Sequence, residues 1–245
     1  MESIPLMNDL RLHECIIIER TSLFTVKVLV NSEHYTAYIN NTGRLKGVLE
    51  KGKRGYCIEN RNGKLKYRII GVESGDYASL IDTRLQEQAF LIAQRNRLLN
   101  WLKDCRLFKR NYKLSSETID FAYLCGDQLV LVELKSAVMN LPGNYAGYPD
   151  APTPRGRRQI RELGKYVERG GVGIVVFVAG IPRSKGFKLY CNEDKLIGRT
   201  MQEARSKGVL FKAMGVYLDP FKEAILLHSP DLPVDLDCQD TYPRD

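Results

Sequence analysis

The chain has 245 residues, of which 44% are hydrophobic and 27% are charged. This composition supports a buried core and excludes an intrinsically disordered chain, and the length fits two domains of ordinary size. The 37 Lys and Arg residues outnumber the 29 Asp and Glu residues, and the net charge of +8 favours a polyanionic partner such as nucleic acid. A basic protein without such a partner is the alternative.

The six cysteines are spaced singly, without a Cys-x-x-Cys pair, and only three histidines accompany them, which argues against a zinc site. The first apolar run, residues 15–18, is too short for a signal peptide or a membrane span. We therefore predict a cytoplasmic protein without a membrane partner. Its cysteines are expected to be reduced and mostly buried, unless the source is a thermophile, in which disulfides can form inside the cell.

Residues 1–80 are predicted to form an all-β domain, because turn residues separate short apolar segments and helical periodicity is nearly absent. The predicted strands are 14–19, 24–30, 35–39, 54–59 and 65–72. Five short strands of this kind are typical of an OB-like barrel, a fold that binds oligonucleotides.

The charge of this domain is concentrated in residues 44–68, which contain nine Lys or Arg and two Glu. Six of the basic residues are our candidate nucleic-acid ligands: Arg44, Lys46, Lys53, Arg54, Lys64 and Lys66. Four tyrosines are interleaved with them: Tyr35, Tyr38, Tyr56 and Tyr67. Such a mixture could stack bases while the cations contact phosphates. The alternative is that the tyrosines belong to the barrel core and the cations to a solvated face.

Residues 81–230 alternate helical and extended patterns, which predicts a mixed α/β sheet domain. The expected elements are a helix at 80–102, a strand ending near 124, a strand at 128–135, a helix at 155–168, a strand at 172–179, a helix at 193–206 and strands at 209–217 and 223–227. The turn at residues 126–127 predicts a β-hairpin. Residues 231–245 carry five Asp and are predicted to be a frayed acidic tail.

The segment 155–169 contains six basic residues and two Glu. Arg157, Arg161 and Lys165 recur every four residues and share one helix face. Together with Arg155 near the helix N-terminus, they are candidate ligands of backbone phosphates, and an ordinary solvated face is the alternative. The preceding loop, rich in Pro, Gly and Tyr, is predicted to fold beside the functional site, although a plain surface connection would have a similar sequence.

The candidate catalytic residues are Asp120, Glu133 and Lys135. One face of the strand 128–135 changes from apolar to ionic toward its end, so Glu133 and Lys135 are expected to project together into a cleft. Asp120 lies between two apolar residues on the preceding strand, and a carboxylate buried there must be hydrogen-bonded, paired or metal-bound.

Two neighbouring carboxylates repel each other, and Mg²⁺ or Mn²⁺ is the usual hard cation that stabilises such a pair. The ion would polarise a phosphodiester and activate a water molecule, while Lys135 positions that water or stabilises the transition state. The combination suits phosphodiester hydrolysis. The alternative is a solvated ion pair, since the Glu-x-Lys spacing is common and recurs at Glu193-Asp194-Lys195.

The chain resembles the sugar fermentation stimulation protein family over nearly its whole length. The most specific stretches are Asn41-Thr42-Gly43, Ile119-Asp120-Phe121, Val132-Glu133-Leu134-Lys135-Ser136 and Tyr148-Pro149-Asp150-Ala151 followed by Thr153 and Arg155-Gly156. The resemblance implies an OB-like N-terminal domain, a C-terminal domain of the PD-(D/E)xK nuclease fold, and DNA binding. In bacterial members it also implies a link to the regulation of sugar-use genes.

By this resemblance Asp120 and Glu133 would be metal ligands, Lys135 the catalytic lysine and Glu87 a supporting acid. We add the backbone carbonyl of Leu134 to the candidate ligands. The chain departs from the family pattern at Thr118, where an Arg is usual, and at Gln159, where a His is usual.

Two functional hypotheses follow. The first is a metal-dependent endonuclease acting on single- or double-stranded DNA with little sequence specificity. The second is a DNA-binding regulator that retains the nuclease fold without turnover. RNA is a further candidate partner, because OB-like barrels also bind RNA. The sequence leaves the oligomeric state open.

Overall fold

The computed structural model describes residues 2–60 and 63–238. The N-terminal part forms an OB-like barrel of five strands: β2 His13–Arg20, β3 Thr25–Val30, β4 Glu33–Ile39, β5 Arg54–Glu59 and β6 Tyr67–Ser74. Neighbouring strands pair antiparallel, and a parallel pairing of β4 with β6 closes the barrel. The predicted fold and the approximate strand positions of this part are therefore confirmed.

Two short strands were not predicted, and both pair with strands of the second part. They are β1 Ile4–Met7 and β7 Tyr77–Leu80. With only four residues each, they show too little alternation to be recognised. β7 pairs with β6 and also, through Ala78, with Leu218 of the second part, so a single sheet of 13 strands runs through both parts. The boundary at residues 80–81 stays a prediction.

The second part is a mixed α/β sheet, as predicted. Its main elements are α1 Thr83–Arg95, β8 Cys105–Leu114, β9 Glu117–Cys125, β10 Gln128–Ala137, α2 Pro154–Glu168, β13 Val172–Ala179, α3 Ile197–Ser206, β15 Leu210–Asp219 and β16 Ala224–Ser229. β10, β13 and β15 run parallel, while β8, β9 and β16 pair antiparallel with their neighbours. The predicted hairpin is confirmed as β9 and β10.

Helices cover both faces of this sheet. The apolar face of α1 packs against one side through residues such as Phe90, which contacts Phe121 of β9. α2 and α3 pack on the other side, where Leu163 and Met201 join a core with Leu131 of β10. None of the helices in the described ranges is long and apolar enough to span a bilayer.

The helix predicted at 80–102 is shorter in the structure. α1 starts after Asp82, whose side chain caps it by accepting a hydrogen bond from the Leu85 N–H at 2.9 Å, and it ends at Arg95. The apolar periodicity continued past this point because residues 98–102 also pack against the core. α3 likewise begins at Ile197 rather than at Glu193.

A small four-stranded sheet lies beside the main one. Its strands are β11 Met139–Leu141, β12 Tyr145–Tyr148, β14 Phe187–Leu189 and β17 Val234–Asp235. The predicted frayed tail is therefore wrong for residues 231–238, where Leu232 and Leu236 are buried. The remaining acidic residues of that tail, Asp240 and Asp245, lie outside the described residues.

The expectation of reduced cysteines is wrong for four of the six. Disulfides join Cys105 to Cys125 and Cys191 to Cys238, whereas Cys15 and Cys57 are free and buried in the barrel. Cys105 lies directly opposite Cys125 in the register of β8 with β9. Spacing along the chain does not reveal such a pairing, because it depends on register.

Candidate metal-dependent active site

The site begins where β9 and β10 separate. Their register runs from the Gln128–Cys125 pair to the Val132–Phe121 pair. Beyond it, backbone N–H groups donate to side-chain carboxylates: Asp120 N–H to Glu133 Oε2 at 3.2 Å, and Leu134 N–H to Asp120 Oδ2 at 2.7 Å. The two carboxylates are thus held next to each other by the strands that carry them.

Lys135 completes this cluster from the same strand as Glu133. Its ammonium donates to Glu133 Oε1 at 2.6 Å and to Gln159 Oε1 at 2.9 Å. Gln159 lies on α2, is 5% exposed, and also donates from Nε2 to the Thr118 carbonyl at 2.9 Å. One amide therefore fixes the lysine and connects α2 to β9.

Burial dominates the electrostatics of the pair of acids. It raises the pKa of Glu133 to about 7, an effect that the Lys135 ammonium opposes and the Asp120 carboxylate reinforces. Burial also raises the pKa of Asp120, against the influence of Lys135 and the Leu134 N–H. For Lys135, burial alone would lower the pKa, but the contact with Glu133 raises it, so the ammonium stays charged.

The cluster opens into a cleft of about 520 Å³ between the barrel and the α/β part. One wall contains Asp120, Glu133 and Lys135, and the opposite wall includes residues 41–43 of the barrel. Asp150 bridges the walls, because its Oδ2 accepts a hydrogen bond from the Leu45 N–H at 2.9 Å. The segment 139–154, predicted as a loop beside the site, does line this cleft through residues 148–154, but it also contains the short strands β11 and β12.

Glu87 lies in an adjoining cavity of about 200 Å³ that Asp120 and Leu134 also line. Its carboxylate is paired with Arg110 of β8. Glu87 is close enough to contribute to the raised pKa of Asp120. It therefore faces the same carboxylate pair from α1, although a direct role in binding a metal would require it to leave Arg110.

The donors fit a hard divalent cation that keeps part of its hydration shell. Within the described residues no group of three His, Cys, Asp or Glu is arranged to hold a metal, so the protein would offer two carboxylates and the Leu134 carbonyl. Mg²⁺ commonly binds proteins through one or two carboxylates and retains several waters. Burial is the main cause of the raised pKa of both acids, and Lys135 is the largest charge that opposes it.

Comparison with known proteins agrees with this architecture. The profile described as the sugar fermentation stimulation protein RE domain matches residues 83–222, and that of the SfsA N-terminal OB domain matches residues 18–81. The chain belongs to the sugar fermentation stimulation protein family. Its C-terminal part thus has the restriction-endonuclease-like fold of PD-(D/E)xK type that the resemblance implied.

Relatives in this family align over most of their length. A sugar fermentation stimulation protein homolog of Pyrococcus furiosus is 36% identical over 90% of this chain and 95% of its own, and one of Archaeoglobus fulgidus is 41% identical over 90% and 94%. A solved structure of Pyrococcus furiosus SfsA in complex with Ca²⁺ has 34% identity and a TM-score of 0.91, and the match covers 95% of this chain and 99% of that one.

The barrel cations that were predicted to bind nucleic acid lie at the protein surface, but several of them form ion pairs with acidic residues. Arg44 and Lys46 both pair with Glu193, Lys53 pairs with Glu50, and Arg54 lies 3.9 Å from Glu14. Lys64 is exposed, and Arg61 lies outside the described residues.

Of the four interleaved tyrosines, Tyr56 and Tyr67 are buried and cannot stack on bases as they stand: Tyr67 lies in the barrel core, and Tyr56 lies in the core shared with the α/β part. Tyr35 is partly exposed and shares the ammonium of Lys66 with Tyr67 at 5.1 Å. The alternative of a barrel core is therefore correct for Tyr67.

On α2, Arg155, Arg161 and Lys165 are exposed, and Arg155 lines the cleft. Arg157 is different, because it forms an ion pair with buried Asp194 and its side chain is only 15% exposed. That Arg157 contacts phosphate stays a prediction, and such a contact would require its side chain to leave Asp194. The helix pattern placed Arg157 on the basic face, but the partner comes from the loop before α3.

We expect Arg157→Ala to lower the free energy of unfolding by roughly 3 kcal/mol, because it leaves the Asp194 carboxylate buried without its ion pair. Arg161→Ala, at an exposed site one turn later, should change it by no more than about 0.5 kcal/mol. Urea unfolding of both variants measures the difference. An unchanged midpoint for Arg157→Ala, together with weaker DNA binding, would instead support the prediction that Arg157 is a phosphate ligand.

Two features of the site were missed. Gln159 was noticed only as a departure from the family pattern, although a polar residue among the buried positions of a helix is a signal that it has a partner. Asp194 was assigned to a helix start, yet it accepts a hydrogen bond from the Thr153 N–H at 2.9 Å and orders the turn that precedes α2.

Proposed function

We propose that this protein binds DNA and hydrolyses its phosphodiester bonds with the help of a divalent cation, Mg²⁺ or Mn²⁺. The observation that carries the proposal is the meeting of Asp120, Glu133 and Lys135 at one end of a cleft. A Ca²⁺-bound structure of a relative supports a hard divalent cation as the cofactor. Because the proposed substrate is DNA, we also propose that the protein acts in the cytoplasm.

In this proposal Asp120, Glu133 and the Leu134 carbonyl bind the cation, and Glu87 supports them from α1. When bound, the cation would polarise the phosphodiester and lower the pKa of a water molecule. Lys135 then donates hydrogen bonds to that water or to the developing negative charge on phosphate oxygens. Gln159 keeps the ammonium in position through its contact at 2.9 Å.

The substrate would be held mainly through its phosphates. Cations on the surface of the barrel and of α2 are suited to this, and all but the partly buried Lys53 are exposed: Arg44, Lys46, Lys53, Arg54, Lys64, Lys66, Arg155, Arg161 and Lys165. Phosphate contacts carry no sequence information, so we expect little sequence specificity, with single-stranded DNA, double-stranded DNA and RNA as the substrates to compare.

The test is cleavage of labelled DNA and RNA oligonucleotides by purified protein with Mg²⁺, Mn²⁺ or a chelator. Cleavage should require the metal and should be abolished in Glu133→Ala. Cleavage that persists in the chelator or in Glu133→Ala would reject this site as the catalytic one.

The second candidate is a DNA-binding regulator without turnover. It is favoured by the small number of acids, because within residues 2–60 and 63–238 a metal would find only two close carboxylates, and Glu133 already holds Lys135. Under this hypothesis the protein binds DNA with an affinity that falls steeply with salt and that survives Asp120→Ala. DNA binding without cleavage at any metal concentration would favour it.

A further inference from the structure

The outermost strand of the main sheet is an exposed and strongly basic surface. β8 is the last strand in the sheet order and pairs with β9. Residues 106–111 and 113 are all exposed, which is unusual for a strand ten residues long. Because its side chains do not alternate between buried and exposed positions, the sequence of this strand lacks the alternation of apolar and polar residues by which strands are recognised. The strand was therefore not predicted.

The charge of β8 has one sign only. The strand contains four cations and no acid: Arg106, Lys109, Arg110 and Lys113. Arg110 is paired with Glu87, whereas in the described part of the chain the other three form no ion pair. Two apolar side chains lie among them, Phe108 with 55% and Leu107 with 40% of its surface exposed. Cations interleaved with an exposed aromatic ring are what a nucleic-acid surface needs.

β8 also lies beside the candidate active site. Its partner strand carries Asp120, and Arg110 lies opposite Phe121, the next residue along. Arg110 reaches Glu87, which lines the cavity shared with Asp120. A polyanion that leaves the cleft on this side would therefore meet the cations of β8.

We propose that β8 is a docking surface for the phosphate backbone of the nucleic acid that this protein is proposed to bind or cleave. Arg106, Lys109 and Lys113 contact phosphates, and Phe108 packs against an unpaired base or sugar. The inference rests on the proposed function as far as the partner is a nucleic acid, but it does not require catalysis.

A second copy of the chain is the other occupant that an open edge strand can accept, and two observations argue against it. Pairing two β8 strands would bring like charges together, which destabilises a sheet. The register of β8 also shifts between Leu107 and Lys109, and an irregular edge of this kind discourages strand addition. Charge complementarity therefore favours nucleic acid.

The experiment compares wild type with the triple variant Arg106→Gln/Lys109→Gln/Lys113→Gln. The matched control is Lys185→Gln/Lys195→Gln/Lys222→Gln, which removes the same charge from exposed sites on other elements. Binding of a fluorescently labelled duplex and of its single strand is measured by anisotropy over a salt series, with a chelator present to prevent cleavage. Circular dichroism verifies that each variant is folded.

We expect the β8 variant to bind both probes roughly tenfold or more weakly, and the slope of log K against log salt to fall by about one for each lost phosphate contact. The control should lose clearly less. Phe108→Ala should weaken binding of the single strand more than that of the duplex, because only unpaired bases can stack on a side chain.

Equal losses in the β8 variant and the control, or no loss in either, would overturn the proposal, and so would a wild type that binds neither probe. A dimer in sedimentation that the β8 variant dissociates would assign the strand to a second copy instead. The nuclease proposal fails separately, if wild type binds DNA through β8 but cleaves nothing when metal is added.

Discussion

Lys135→Met should reduce the rate of metal-dependent DNA cleavage by at least about a hundredfold while DNA affinity stays unchanged. A donor that stabilises charge only in the transition state contributes this much to the rate and little to ground-state binding. The Lys135 side chain is 9% exposed and lies inside the cleft, 2.6 Å from Glu133, so it has no part in the exposed phosphate-binding surfaces.

The chain supplies its own control for this variant. Lys195→Met changes the lysine of Glu193-Asp194-Lys195, which has the same Glu-x-Lys spacing but lies exposed before α3. It should cleave DNA at the wild-type rate. Since Lys135→Met leaves Glu133 buried without its ion pair, Lys135→Gln is the companion variant that retains a hydrogen-bond donor. Wild-type cleavage by a folded Lys135→Met or Lys135→Gln protein would exclude the lysine from catalysis.

Asp120→Asn should abolish the stabilisation of the protein by Mn²⁺ without lowering its stability in a chelator. A cation at about a hundred times its dissociation constant stabilises the folded state by about 2.7 kcal/mol, which corresponds to roughly 5–10 °C in Tm for a chain of this size. The asparagine can still accept the Leu134 N–H bond but no longer repels Glu133. The Tm in chelator should therefore be equal to that of wild type or higher.

Differential scanning calorimetry with and without Mn²⁺ measures both effects. Asp127→Asn is the matched control, because Asp127 lies exposed in the turn at the opposite end of the same hairpin. It should show the full Mn²⁺ shift. If Asp120→Asn retained the Mn²⁺ shift, the metal site would have to be placed elsewhere. The same would follow if the Tm of Asp120→Asn in chelator lay below that of wild type by as much as Mn²⁺ raises the wild-type Tm.

The strand that carries Glu133 and Lys135 shows which features of the site a local sequence pattern predicts and which it does not. Its apolar-to-ionic face is visible in the sequence, and the structure confirms that Leu131 of this face enters the core beneath α2 while Lys135 contacts that helix. In contrast, the sequence contains no signal that Leu134 N–H bonds to Asp120, because that contact depends on how two strands separate.

The contacts that the sequence did not reveal have the same origin. The helix pattern correctly placed Arg157 near Arg161, but the buried partner of Arg157 is 37 residues away in the sequence. The pairing of Cys191 with Cys238 spans 47 residues and brings the C-terminal segment into a sheet that the acidic composition of that segment did not indicate. β8 has no alternating pattern because it is an edge strand with little to bury.

The sequence by itself determined the barrel and the mixed sheet, the hairpin, and the identity of the three side chains at its open end. These depend on hydrophobic periodicity and turn residues, which are properties of neighbouring positions. Only the tertiary structure decided which charged side chains form ion pairs and which cysteines form disulfides. It also decided that β8 and residues 41–43 of the barrel lie on either side of Asp120 and Glu133. Such contacts join residues far apart in the chain, and their geometry is set by strand register and by the packing of helices on the sheet.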